Sequence, residues 1–352
     1  GIIFIDLSIA QIAGPSVVLV DLWREEPRLV VRQFAVVSAA LLAAALTPTA
    51  VAIVTQLRPM RIDHHGWQIV LALLALWTMF WPEKRKSGMA LGFALALWLS
   101  ISLEGLPLSV AFIALLVWHW AVGSEQGTRL FWTLLALVGT SIFLYLATQG
   151  GFDAAINYCD AVSPVHFLAC LAAALFILPA IRLAPASIPV RLGALALSGA
   201  VALAVFHFTA PQCLGSAFGQ IDPLVRDYWF VNVAEGLPVW VQPWDQTAIL
   251  MGGSIITGLG AIFYLLWLRP NKPDLEKLFI IAYAFLWAFA VSLFVQRAAS
   301  VAGAFALPLL AWAVHHMFVR ARDIANPAKR ILATVAVIFL VMPGPLAVSF
   351  YK

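Results

Sequence analysis

The sequence predicts an all-α, polytopic membrane protein of about twelve transmembrane helices with one long external loop. Hydrophobic residues make up 63% of the 352 residues and charged residues only 11%, and the mean hydropathy is +0.95. This composition lies outside that of soluble globular proteins and requires lipid as the solvent. The apolar residues form runs of about 16 to 22, each long enough as a helix to cross about 30 Å of hydrocarbon.

Charged residues, prolines and glycines separate the apolar runs and give the boundaries of the expected spans. These are 3–22, 33–54, 67–82, 88–103, 107–122, 130–148, 165–181, 191–209, 247–268, 278–295, 300–319 and 331–350. Several are short for a full crossing, so we expect tilted or re-entrant segments. No repeat of fixed period divides the chain, and we expect one transmembrane domain over residues 1–352. Because Gly1 leads into an apolar run without an initiator Met or a leader sequence, we expect that the native N-terminal part lies upstream.

The basic residues are distributed unevenly between alternate loops. Sixteen of the 21 Lys and Arg residues lie in one set of loops and five in the other. The positive-inside rule assigns the richer set to the cytoplasm. The richer loops are 23–32, 83–87, 123–129, 182–191, 269–277 and 320–330. We therefore expect a multi-pass protein of the inner (plasma) membrane whose acidic loops face away from the cytoplasm. The small net charge of +4 gives no indication of a nucleic-acid partner.

The longest external connection is the extracytoplasmic loop of residues 210–247. Long loops without regular structure are often functional. Its aromatic residues, among them Tyr228, Trp240 and Trp244, are typical of a segment in the headgroup layer of the bilayer. An interfacial loop does not by itself explain Glu235, a carboxylate with Ala and Gly as its neighbours. We interpret Glu235 either as a functional acid or as a solvated loop residue.

Asp63, His64 and His65 are adjacent in a polar break between two apolar runs. Ionisable residues at the edge of a bilayer are costly to keep and indicate a functional site. A shell of carboxylate and imidazole suits Mn²⁺ or a similar divalent ion. Residues two apart on a helix point about 200° from each other, so Asp63 and His65 share an ion only if the backbone turns there. The alternative is a hydrated loop with incidental histidines.

Three short motifs resemble those of archaeal oligosaccharyltransferase catalytic subunits. The segment 61–68, Arg-Ile-Asp-His-His-Gly-Trp-Gln, is similar to the family's Asp-His-His-x-x-Glu motif. Val233-Ala234-Glu235 with Pro238 resembles the Thr-Ile-x-Glu motif of the family's large external loop. Arg297, which precedes an apolar run, is similar to the arginine that contacts the lipid-linked pyrophosphate. The motifs occur in the family's order and on the predicted outer side.

The resemblance implies a GT-C glycosyltransferase that moves a sugar or oligosaccharide from a polyprenyl (pyro)phosphate donor to an extracytoplasmic acceptor. It implies a divalent metal, Mn²⁺ or Mg²⁺, held by Asp63 and His65 with His64 as a further ligand. Asp63 and Glu235 are the expected catalytic residues, and Arg297 is expected to bind the donor phosphate. From its external turn, Glu104 is expected either to support this site or to serve only in the turn.

The chain departs from the family's pattern in three ways. Gln68 stands where the motif has Glu. The family's first acidic motif would precede Gly1, and the soluble domain with its Trp-Trp-Asp-Tyr-Gly motif is not in this sequence. Protein N-glycosylation therefore stays open beside a simpler transfer of a lipid-linked sugar.

Two other classes of function remain open from the sequence. A transporter has a similar outline, but its charges lie near mid-membrane in repeated halves, whereas here they cluster in external loops. A noncatalytic membrane scaffold is the second alternative.

Cys159, Cys170 and Cys213 form no metal motif, and a Cys159–Cys213 bridge is possible if both residues lie outside.

Overall fold

The computed structural model describes residues 50–57, 64–123, 126–148, 156–183, 187–215, 221–228, 230–270 and 272–341. The chain forms two compact units. The first unit combines Gly1–Leu76 with Val233–Lys352, and the second is Trp77–Asn232. The expectation of one domain over residues 1–352 stays a prediction.

The described residues form α-helices and short 3₁₀ turns, and they contain no strand. In chain order the α-helices are α1 (Val51–Gln56), α2 (His65–Thr78), α3 (Lys84–Ile101), α4 (Leu106–Gly123), α5 (Gly127–Thr148), α6 (Pro164–Leu183), α7 (Ile188–Thr209), α8 (Pro223–Tyr228), α9 (Trp244–Leu268), α10 (Lys272–Phe294), α11 (Ala299–Arg322) and α12 (Pro327–Val341). The 3₁₀ turns are Leu103–Gly105, Pro211–Leu214, Phe230–Asn232, Ala234–Gly236, Val239–Val241 and Gln296–Ala298.

The described part has seven helices that are long and apolar enough to cross a membrane. They are Leu103–Gly123, Gly127–Thr148, Pro164–Leu183, Ile188–Thr209, Trp244–Leu268, Asp274–Phe294 and Gln296–Arg322. These helices match the predicted spans from 107–122 to 300–319. The chain is therefore an all-α, polytopic membrane protein, as its composition predicts.

The remaining predicted spans differ from the structure or lie outside the part described. The span expected at 67–82 is α2, a helix of 14 residues that at about 1.5 Å per residue is about 21 Å long. The span expected at 88–103 is α3, which begins with three basic residues. The span expected at 331–350 is described only as α12, to Val341. The span 3–22 and nearly all of 33–54 lie outside the described residues.

Helix α11 forms the core of the first unit. It packs against α1, α9, α10 and α12, and 89% of the residues in its most apolar stretch are buried. Small residues on several faces of α11 allow other helices to come close, as is typical of helix contacts in membranes. At Gly303, for example, a Cβ would lie 3.2 Å from the Ala50 Cβ and 3.5 Å from the Ser254 Cβ.

In the second unit, α3 and α5 meet at a pair of glycines. Gly88 and Gly92 are four residues apart on one face of α3. A Cβ on Gly88 would collide with the backbone carbonyl of Arg129, and one on Gly92 with the carbonyl of Thr133. Such a small-xxx-small spacing lets two membrane helices pack backbone to backbone. The sequence carries this signal as Gly-Met-Ala-Leu-Gly.

Two buried arginines join helix ends in the second unit. Arg129, near the start of α5, donates from Nη1 to the Met79 carbonyl at 2.9 Å and from Nη2 to the Trp81 carbonyl at 2.8 Å. Arg191, near the start of α7, donates from Nη1 to the Trp120 carbonyl at 2.8 Å. Carbonyls at and just beyond a helix C-terminus lack helical partners and attract cations. Each arginine therefore fixes one helix start to another helix end.

A disulfide joins Cys159 to Cys213. It connects the segment before α6 to the 3₁₀ turn Pro211–Leu214 after α7. The pairing that the sequence left as possible is therefore present. Cys170, within α6, is not in a disulfide.

Each unit separates its acidic and basic ends by the length of a helix. In the first unit, the turn of Glu235 packs against the turn of Arg297, which precedes α11, whereas Arg320 lies near the end of that helix. The 24 residues of α11 rise about 36 Å. In the second unit, Lys84 begins α3 and Glu104 follows its last residue. The separation of acidic from basic loops that the charge pattern predicts is present within each unit.

The glycine contact between α3 and α5 gives a stability prediction. Gly92→Leu should lower the stability of the protein by about 1–3 kcal/mol or more, because the new side chain meets backbone and cannot be accommodated by rotation. The matched control is Gly139→Leu, since Gly139 lies on α5 with nothing within 4 Å of its Cβ position. The measurement is the thermal unfolding midpoint in detergent. Equal midpoints for the two variants would contradict the close helix contact.

Candidate functional site

The polar break ends where α2 begins. Helix α2 starts at His65, and His64 lies in a bend just before it. His64 is exposed, whereas His65 is 6% exposed. The two rings lie 4.2 Å apart between centroids. Asp63 lies outside the described residues, so its sharing of an ion with His65 stays a prediction.

Gln68 contacts one nitrogen of the His65 ring. It lies one helical turn beyond His65, and its Nε2 is 3.4 Å from the His65 Nδ1. Both side chains are buried. A glutamine amide can donate through its nitrogen or, after rotation, accept through its oxygen. Gln68 therefore fixes the orientation of the ring and can support either neutral tautomer of His65.

Glu235 contacts the other nitrogen of the same ring. It lies in the 3₁₀ turn Ala234–Gly236, and its Oε1 is 3.5 Å from the His65 Nε2. Its Oε2 accepts a hydrogen bond of 3.5 Å from the Gln56 Nε2 at the end of α1. The Glu235 side chain is 32% exposed, against 7% for that of His65. The carboxylate is thus held by buried groups, while part of the Glu235 side chain remains exposed on the surface of the protein.

The spacing of these atoms fits a divalent ion. Two ligand atoms at about 2.1 Å from one ion lie about 3.4 Å apart at a tetrahedral angle, and His65 Nε2 and Glu235 Oε1 are separated by 3.5 Å. Gln56 adds a second observation. Its Oε1 is buried and has no hydrogen-bond partner among the residues described, so an oxygen acceptor stands ready beside Glu235. Imidazole, carboxylate and amide oxygen together suit Mn²⁺ better than Mg²⁺, which prefers oxygen ligands alone.

Arg297 lies beside the Glu235 turn. It belongs to the 3₁₀ turn Gln296–Ala298, and a Cβ on Gly236 would lie 3.4 Å from its Nη2. The two turns are also joined through the backbone, since the Gln296 amide donates to the Leu237 carbonyl at 3.2 Å. The Gln296 side chain donates to the Thr247 hydroxyl at 3.1 Å near the start of α9. The guanidinium is therefore held next to the carboxylate turn.

Glu104 belongs to the second unit. It lies in the turn Leu103–Gly105 between α3 and α4, where its backbone amide donates to the Ser102 hydroxyl at 3.4 Å. A Cβ on Gly105 would collide with the Trp98 indole, so this position of the turn requires glycine. The turn role of Glu104 is present, and its role in the site stays a prediction.

The structure brings together three predicted residues of the first unit, His65, Glu235 and Arg297. The sequence interpretation gives no role to Gln56 or Gln68, which lie at the two ends of the polar break. In the structure Gln56 contacts Glu235, and Gln68 contacts His65. The available signal was their position, because an amide buried between apolar runs requires a hydrogen-bond partner. Chemically, the arrangement offers a cation site beside a fixed guanidinium, which suits an anionic group with a dispersed charge.

Comparison with known proteins identifies the fold. No family profile and no curated protein matches the sequence. Three solved structures of an oligosaccharyltransferase from Archaeoglobus fulgidus are similar. The AglB complex with an inhibitory peptide and a dolichol-phosphate has a TM-score of 0.63 at 16% identity. The apo form has a TM-score of 0.58 at 17% identity, and the complex with Zn and sulfate has a TM-score of 0.57 at 16% identity.

These matches cover 94% of this chain but 42%, 42% and 38% of the respective solved chains. The chain therefore spans about two fifths of the length of the structures it resembles. The likeness shows an oligosaccharyltransferase-like GT-C fold, as the motif resemblance implies. At this identity it shows the fold and not the activity.

The contacts around His65 give a prediction for metal binding. His65→Ala and Glu235→Ala should weaken Mn²⁺ binding by more than about 100-fold, and Gln68→Leu should weaken it by about 10- to 100-fold because the ring loses its orienting partner. Gln68→Glu, unlike Gln68→Leu, should keep the Mn²⁺ affinity of wild type, since a carboxylate also accepts a hydrogen bond from Nδ1–H of His65. The measurement is titration of the purified full-length protein with Mn²⁺ followed by electron paramagnetic resonance.

The matched control is His316→Ala. His316 is a half-buried histidine toward the other end of α11, with its Nδ1 3.1 Å from the Trp312 carbonyl, and its loss should leave Mn²⁺ affinity unchanged. Equal affinities for wild type and His65→Ala would exclude His65 as a ligand.

Proposed function

We propose that this chain is the membrane part of a glycosyltransferase that moves a sugar or oligosaccharide from a polyprenyl phosphate or pyrophosphate to an extracytoplasmic acceptor. The observation that carries the proposal is the cluster of His65, Glu235 and the Arg297 turn at one end of α11. These residues come from distant parts of the sequence and belong to the three motifs of the resemblance. The fold is that of the enzymes in which the motifs occur.

The proposed orientation puts this cluster outside the cytoplasm. The basic loops lie at the opposite helix ends within each unit, and such loops are usually cytoplasmic. The disulfide Cys159–Cys213 gives independent support, because disulfides persist in oxidising compartments. Cys213 lies in the turn that follows the C-terminus of α7, whereas Arg191 lies near the start of the same helix. The disulfide is therefore at the end of α7 opposite to a basic loop.

The proposed metal ligands are Asp63, His65 and Glu235, with His64 as a further candidate. A bound Mn²⁺ or Mg²⁺ would supply positive charge for the phosphate that departs from the sugar. One of the similar structures is a complex with Zn and sulfate, which supports a divalent cation in this fold. Gln68 keeps the His65 ring oriented toward Glu235.

Arg297 is the proposed ligand of the donor phosphate. Its planar fork can donate two parallel hydrogen bonds to phosphate oxygens. As the bond between the anomeric carbon and the phosphate oxygen breaks, the electron pair stays on that oxygen. Donors fixed in position before the reaction stabilise this developing charge without reorganisation. The contacts of Arg297 with the Glu235 turn hold it in that position.

Glu235 is proposed to orient the acceptor. Its carboxylate faces partly outward, so it can accept a hydrogen bond from the attacking group of the acceptor. The new bond forms to the anomeric carbon, and the proton of the acceptor is released to a base. The identity of the acceptor, whether glycan, lipid or protein, is open.

The donor is proposed to be lipid-linked because the site lies at the end of apolar membrane helices. A similar structure contains a dolichol-phosphate, which is a polyprenyl lipid with a phosphate head. A lipid chain of this kind is accommodated in the bilayer, and its phosphate then lies at the level of the interface.

A transfer assay tests the proposed function. Natural full-length protein is incubated with a labelled lipid-linked sugar donor, and release of the sugar from the lipid is measured. Asp63→Ala should abolish release, because the cation site loses an anionic ligand. Arg297→Lys should lower the rate by about 100-fold, because an ammonium cannot reproduce the bidentate contact. Chelation of divalent ions should stop the reaction.

The matched control is Arg320→Lys, at the other end of α11, which should keep the wild-type rate. Full activity in the presence of chelator, or in Asp63→Ala, would refute the metal-assisted mechanism. Absence of any release by wild type over a panel of polyprenyl donors would favour a transporter or a scaffold.

A further inference from the structure

A polar cavity lies within the second unit, between the end of α4, the start of α5 and the end of α6. Its volume is about 200 Å³, and its walls include Trp120, Thr128, Phe131, Trp132 and Arg182. The loops on either side, 123–129 and 182–191, belong to the basic set. The cavity shares no residue with the candidate site of the first unit.

Trp120 lines this cavity with a buried indole. Its side chain is 1% exposed, and its Nε1 is buried without a hydrogen-bond partner among the described residues. Gly127 also lines the cavity, and a Cβ there would lie 3.6 Å from that Nε1. The indole ring therefore packs beside Gly127 as part of the cavity wall, and its N–H is not open to the cavity.

Two guanidinium groups stack on aromatic residues that line the cavity; Arg182 lines the cavity itself, whereas Arg85 does not. The Arg182 Cζ lies 5.6 Å from the centre of the Phe131 ring, and the Arg85 Cζ lies 4.5 Å from that of Trp132. Stacking on an aromatic face holds an arginine in place and leaves its N–H edges available to a ligand. Nearby, Lys86 is paired with Glu83 at 2.6 Å. Among the lining residues that the structure describes, the charge is positive.

The start of α5 adds further donors. Gly127 is the first residue of this 22-residue helix, and the first backbone amides of a helix have no helical acceptors and favour anions. Thr128 lies in the same wall. The cavity therefore combines the start of a helix, a threonine and an arginine in one small volume, which is the chemistry of a phosphate site.

We propose that this cavity binds the headgroup phosphate of an anionic phospholipid. A lipid fits better than a free anion because the cavity lies at the ends of three apolar membrane helices and its walls carry the Trp and Phe side chains typical of the bilayer interface. Basic pockets between membrane helices at the cytoplasmic side are known to hold anionic headgroups. The acyl chains would lie along the exposed apolar surface of α6, where Leu175 is 67% exposed.

The test uses full-length protein in detergent with added dioleoylphosphatidylglycerol or dioleoylphosphatidylcholine, and native mass spectrometry counts the lipid retained. Wild type should retain the anionic lipid selectively. Arg85→Gln with Arg182→Gln should lower this selectivity by about 25-fold, since each arginine near a bilayer contributes about a fivefold preference for anionic lipid.

The matched control is Arg320→Gln. Arg320 also stacks on a tryptophan, with its Cζ 5.5 Å from the centre of the Trp267 ring, but it belongs to the first unit and does not line this cavity. Its selectivity should equal that of wild type. A double variant that folds in phosphatidylcholine and keeps full selectivity would overturn the proposal. So would displacement of the anionic lipid by millimolar inorganic phosphate alone, which would indicate a site for free anions.

Discussion

The candidate site depends on one buried imidazole that is contacted at both of its nitrogens. His65 begins α2, so its ring leaves the helix at a turn where Gln68 can reach Nδ1 from one side and Glu235 can reach Nε2 from the other. With only one of these contacts, the orientation of the ring about its χ2 bond would be less strictly defined. With both, the direction of Nε2 is fixed, and with it the point at which a cation or a proton can lie.

The second contact depends on the packing of α11. This helix is buried along most of its length, and the turn before it joins the Glu235 turn through the Gln296 amide and the Leu237 carbonyl. A shift of α11 would therefore move Arg297 and Glu235 together relative to His65. Small residues such as Gly303 permit the close packing that prevents such a shift. The geometry at one end of the first unit thus rests on the helix contacts of α11.

Much of this architecture is predictable from the sequence, because long apolar runs and basic loops are strong local signals. Seven spans and the opposite ends of acidic and basic loops follow from them, whereas the oligosaccharyltransferase-like fold is implied by the resemblance of the three motifs. The length of α2 does not, since an apolar run that continues past Thr78 looks the same whether it is helix or turn. The contacts of Gln56 and Gln68 were also missed, because they join residues distant in sequence or depend on where α2 begins. Gln68 stands where the family's motif has Glu, and its amide contacts the His65 ring at Nδ1.

The most direct test of this account is to locate a bound ion. Crystals of the full-length protein grown with Mn²⁺ should give an anomalous diffraction peak about 2.1 Å from both His65 Nε2 and Glu235 Oε1, the distance expected for imidazole and carboxylate ligands of a divalent ion. A peak that lies away from His65, or the absence of a peak between these two residues at saturating Mn²⁺, would contradict it.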